Sequence, residues 1–90
     1  MTEKRKMEIL NACNEYAETA INNSVKSAQS LFWYDYVRGR RWSFIEHIVI
    51  MKLTQVYIDC KCGAIDRKTA ARNQNMIFKD FFDAPAEAPA

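Results

Sequence analysis

The 90-residue sequence is poor in chain breakers. It has two glycines and two prolines, and both prolines, Pro85 and Pro89, fall in the last six residues. So few breakers exclude a many-turned β fold and favour long helices. Phosphate loops and dinucleotide fingerprints need several glycines, and Gly39 and Gly63 stand alone. Long hydrophobic runs are missing too. The longest is Ile48-Val49-Ile50-Met51, far short of the roughly 20 residues that span a bilayer. The charged start Met1-Thr2-Glu3-Lys4-Arg5-Lys6-Met7 has no apolar stretch behind it, so no secretory signal and no membrane role are expected. Histidine occurs once, as His47, and no paired carboxylates stand out. A nucleophile–base arrangement has little to build on. The expectation is a protein that is not an enzyme, with no catalytic residue, no cofactor and no metal.

Three cysteines are an odd number and cannot close a disulfide framework. They read as reduced thiols of a cytoplasmic protein. Cys60-x-Cys62 has the look of half a zinc site, but residues i and i+2 on a helix point about 200° apart. The formal charge is +2. Residues 83–90 hold Asp83 and Glu87 and no base, so the remainder is about +4, mildly basic for a nucleic-acid binder.

What the sequence does contain is helical periodicity. Thr2 is placed to cap a helix on which Met7, Leu10, Cys13, Ala17, Ala20, Ile21, Ser24, Val25, Ala28, Leu31 and Phe32 recur at i, i+3, i+4 spacing. The phase is unbroken through Asn22-Asn23-Ser24, which favours one long helix over about residues 3–37. Two helices, with Ser24 capping the second, is the alternative. The small residues Ala17, Ala20, Ser24 and Ala28 would let a partner helix approach closely. Gly39 suits the C-terminal cap of this first element. Ser43-Phe44-Ile45-Glu46 is a capping box opening a second helix over about 44–62, which stops at Gly63. That helix is apolar on two sides, with Ile45, Val49, Leu53, Val56, Tyr57 and Cys60 on one and Phe44, Met51, Ile58 and Cys62 on the other. His47, Thr54 and Lys61 form a polar edge between them. Asp66 caps a third helix over about 67–82, with Ala70, Gln74, Ile77, Phe78 and Phe81 on its inner face. The expected fold is all-α: one domain over residues 1–82, a long first helix packed antiparallel on a helical hairpin, and a disordered acidic tail over 83–90. A chain this short buries its core narrowly, so a homo-oligomer is expected as well.

From Val56 to Phe82, Gly63, Ile65 and Asp66 mark a turn, and Ala70, Ile77 and Phe78 run down the helix after it. This stretch resembles the short helical hairpin of bacterial SHOCT-type domains and is similar to the tails of small phage and prophage proteins. Asp66 stands where those hairpins commonly carry Thr or Ser, and Thr69-Ala70 replaces their acid and bulky apolar pair. The resemblance implies a packing unit and a phage or prophage origin. It carries over no catalytic residue.

The candidate binding residues lie in the stretch 32–44. Six of the eleven aromatics fall there with three arginines. Consecutive rings fan out by about 100° each, so they cannot all enter one core. Trp33, Tyr34, Tyr36, Arg38, Arg40, Arg41 and Trp42 are the expected partner-binding set. Trp, Tyr and Arg dominate protein interfaces and also serve stacking and phosphate contact. Lys61, Arg67 and Lys68 form a second basic group that would gather an anion at the start of the third helix. The leading expectation is a phage or prophage accessory protein that inhibits a bacterial host factor by direct binding, in the host cytoplasm, as anti-CRISPR-type proteins do. The alternatives are a nucleotide or nucleic-acid module using the aromatic–arginine stretch, and a structural homo-oligomer.

Overall fold

A computed structural model describes residues 2–29 and 42–83. Every regular element among them is helical: α1 (Glu3–Asn22), α2 (Phe44–Lys61) and α3 (Arg67–Phe78), which continues as a π-helical turn, Lys79–Asp83. The expected all-α class is what the described residues adopt, with three helices in the expected order. The residues expected to form the disordered tail lie outside the described set, save Asp83.

The predicted caps form. The Thr2 hydroxyl accepts the Arg5 N–H at 3.1 Å, and Asp66 accepts that of Thr69 at 2.7 Å. Ser43 accepts from the Glu46 N–H at 3.2 Å while the Glu46 carboxylate accepts the Ser43 N–H at 2.9 Å, closing the capping box. At the far end of α2, Gly63 takes φ +82°. The Gly63 N–H reaches the Cys60 carbonyl and the Ala64 N–H that of Asp59, satisfying carbonyls the helix leaves open.

The single long first helix does not form. α1 ends at Asn22 and regular helix resumes only at Ala28. The terminating device is the one used at Gly63, built on a different residue. Ser24 adopts φ +58°, the Ser24 N–H donates to Ile21 and the Val25 N–H donates to Ala20 at 2.7 Å. Two side chains add bonds to the carbonyls of this last stretch: the Asn23 side chain donates to the Thr19 carbonyl, and the Thr19 hydroxyl donates to that of Glu15. Ser24 thus ends the first helix and does not cap a second one.

This break also reverses the expected helix direction. α1 runs parallel to α2, not antiparallel. Arg5 meets Glu46 near both N-termini, the Cys13 thiol donates to the Ile50 carbonyl midway, and Lys61 meets Glu18 near both C-termini. The chain leaves α1 beside Gln55, whose side chain accepts the Ala28 N–H at 3.0 Å and donates to the Lys26 carbonyl at 3.1 Å. It re-enters the described structure at Trp42, beside Arg5 at the opposite end. α3 is antiparallel to α2, since Tyr57 pairs with Gln74 and Lys52 lies over the Phe81 ring.

α2 is therefore the central helix. Val49, Ile50 and Leu53 are fully buried with Ile9, Ala12, Cys13 and Tyr16 of α1 and Phe78 of α3. Ile58 closes on Ala17, Ala20 and Ala28, the small residues that were expected to admit a close neighbour. Ser24, expected among them, is exposed. The buried face is turned from the expected one toward Ile50, Thr54 and Ile58, leaving Ile45 and Phe44 exposed. Thr54 leaves the expected polar edge and is buried.

Candidate functional site

Of the aromatic–arginine set, Trp33, Tyr34, Tyr36, Arg38, Arg40 and Arg41 lie outside the described residues. Trp42 is half-buried and packs on the main core cluster of its own chain. The Arg5 guanidinium lies 4.7 Å from the centre of its ring. The same guanidinium grips Glu46 in a fork, Nε to Oε2 at 2.6 Å and Nη2 to Oε1 at 2.9 Å. Arg5 and the Ser43 N–H hold the Glu46 carboxyl down to about 2 against the opposing pull of burial. Trp42 is thus part of a clamp joining the start of α1 to the start of α2.

The described residues build a different surface. α1 and α3 each lie on α2 and leave an open groove of about 640 Å³ between them. Met7, Leu10, Asn11 and Asn14 form the α1 wall, and Arg67, Ala71 and Gln74 the α3 wall. Tyr57, Cys60 and Ala70 line it between those walls, with Lys61 at one end. Each wall follows from helical spacing: residues 7, 11 and 14 recur on one side of α1, and 67, 71 and 74 on one side of α3. The walls are fixed by their helices, not by loops. The Tyr57 hydroxyl donates to Gln74 Oε1 at 3.1 Å and ties α2 to the far wall. Burial pushes the Tyr57 phenol above its ordinary value, so it remains a neutral donor.

The groove is polarised along its length. Met7, 53% exposed, and Leu10 make one half apolar. Lys61 and Arg67 make the other half cationic, and among the described residues they are the only charged side chains that line it. Among the described residues Lys61 has one ion-pair partner, Glu18 at 3.7 Å, and Glu18 is itself largely solvent-exposed. Such a contact is weak and readily exchanged. The structure thus brings two of the three expected anion-gathering residues together. Lys68 is exposed and lies outside the lining. Asp66 uses its carboxylate on the Thr69 N–H, which holds it below its ordinary value.

The thiols divide by environment. Cys13 is fully buried, and desolvation pushes it up to about 12, which leaves it inert. Cys60 is half-buried in the groove, whereas Cys62 is exposed at the α2 cap. Among the described residues no group of three or more Cys, His, Asp or Glu side chains is placed to hold a metal ion, and no helix is long and apolar enough to cross a membrane.

Asn11, Asn14 and Gln74 carried no signal as groove residues. Their spacing was visible, but only the parallel direction of α1 sets the first two opposite Arg67 and Ala71. No known protein family matches the chain, and no curated protein or solved structure is similar to it.

Proposed function

We propose that this chain is a small non-enzymatic binding protein that acts by direct contact with another protein through the groove between α1 and α3. One observation carries this reading: rigid helical walls expose an apolar half, Met7 and Leu10, in line with a cationic half, Lys61 and Arg67. Surfaces that combine apolar area with a few directed polar groups are how helical modules recognise partner segments. The likeness of residues 56–82 to SHOCT-type hairpins and small phage proteins supports the setting. It is that of a phage or prophage accessory protein restraining a bacterial host factor, as anti-CRISPR-type proteins do. Residues 56–82 comprise the end of α2, the turn at Gly63 and α3, and include Lys61 and Arg67 of the groove.

The test is a comparative pull-down from bacterial lysate, read by mass spectrometry. Wild type is set beside Ala71→Trp, which fills the groove from its exposed rim, and Phe44→Ser, which alters an exposed residue outside the lining. Proteins retained by wild type and Phe44→Ser and lost by Ala71→Trp support the reading. Identical recoveries on all three would defeat it.

A further inference from the structure

We propose that the groove takes an acidic amphipathic helical segment of a partner protein, with a bulky apolar side chain on Met7 and Leu10 and carboxylates on Lys61 and Arg67. This rests on the reading of the groove as a protein-binding surface and names the partner's chemistry. Charge complementarity selects the occupant. Among the described residues two cations and no carboxylate line the groove, so a basic or acid-free segment adds no opposite charge to Lys61 and Arg67. An acidic segment offers Lys61 a carboxylate to replace the exposed Glu18 at 3.7 Å and gives Arg67 a bidentate partner.

The dimensions set the pattern. From Met7 to Asn14 the α1 wall rises about 10 Å, at about 1.5 Å per residue. A helix laid along it therefore carries its apolar anchor and its acids about seven residues apart, two turns along one face. Asn14, at the cationic end, presents an amide able to donate to the same carboxylates. The ion pairs form at a solvent-open rim, so they contribute direction and association rate more than affinity, and added salt weakens them. The apolar half supplies the anchor.

The test uses the full chain as bait for displayed random peptides of about 16 residues, long enough for four helical turns. Selected peptides are re-assayed by fluorescence anisotropy on wild type, Lys61→Glu/Arg67→Glu and Ala71→Trp. Circular dichroism melting checks that each variant is folded. The expected result is enrichment of Asp and Glu about seven residues from a bulky apolar position. Affinity should fall roughly tenfold or more on the charge-reversed variant, as rim charges of inverted sign repel the ligand. It should fall on Ala71→Trp as well. Peptides blocked by Ala71→Trp but indifferent to the charge reversal would overturn the acidic partner and leave the groove reading standing. Peptides that bind all three proteins alike, or no enrichment, would overturn both. Concentration-dependent self-association lost in Ala71→Trp would assign the groove to a second copy and overturn the proposal too.

Discussion

At the end where α1 and α2 begin, Arg5, Ser43, Glu46 and Trp42 meet in a charged and aromatic clamp over large apolar residues. At the end where they finish, Ala17, Ala20 and Ala28 close on Ile58, Gln55 pins the departing chain, and the one ion pair there among the described residues, Lys61–Glu18, is a loose surface contact. One end gains specificity from directed bonds. The other gains proximity, because small side chains let the helices come near. The difference explains the site. Large residues at the clamped end hold α1 against α2 and α3, where Lys6 also lies over the Phe78 ring. Toward the other end the α3 wall is made of alanines and polar residues that do not reach across to α1, and the groove stays open.

The sharpest way to break this comparison is to remove equal volume from both ends. Ile50→Ala, in the large-residue cluster, should cost about 3–4 kcal/mol, and Ile58→Ala about 2. Met51 and Val25 flank Ile58, and Met51 can move into the space. Urea unfolding followed by circular dichroism measures both, and an Ile58→Ala loss as large as that of Ile50→Ala would end the distinction. Next comes the clamp. Glu46→Gln should cost about 2 kcal/mol, because Arg5 loses its charged partner and half the fork. The pH profile gives the sign. Glu46 falls from an ordinary 4.5 to about 2 on folding, so the folded chain binds its proton less readily than the unfolded chain. The stabilisation is complete above about pH 4.5 and drains away as pH falls toward about 2. Glu46→Gln should flatten that part of the acid-unfolding curve, and an unchanged curve would remove the clamp's role.

A smaller effect tests the alanine-rich end. Ser24 holds a left-handed conformation that glycine adopts without steric cost. Ser24→Gly should raise stability by about 0.5–1 kcal/mol, and Ser24→Val should lower it by more than that, in paired thermal melts. The smallest change is expected from Lys61→Gln, under about 0.5 kcal/mol, since its contact with Glu18 is a surface pair. The same substitution should weaken capture of acidic peptides. A large stability loss with unaltered capture would make Lys61 a structural residue.

How far the sequence could be read varied with how local the physics was. Thr2, Ser43, Asp66 and Gly63 were legible because a cap involves groups three or four residues apart. The turn at Ser24 was not, although its hydrogen bonds repeat those at Gly63, because serine in that conformation leaves no compositional mark. Glu46 was legible as a capping residue but not as a buried one. Its burial rests on Arg5, 41 positions away. Of the candidate site, Lys61 and Arg67 were visible as nearby cations around one turn, while the α1 wall was not.

The sequence by itself determined where α1, α2 and α3 begin, where α2 stops and that the fold is all-α, since capping and periodicity are short-range and encoded in adjacent side chains. Only the tertiary structure decided that α1 runs parallel to α2, which polar residues go inside, and that α1 and α3 stand apart over Tyr57 and Cys60. Those outcomes depend on which surfaces exclude water together, and that is a property of residues brought together from across the chain.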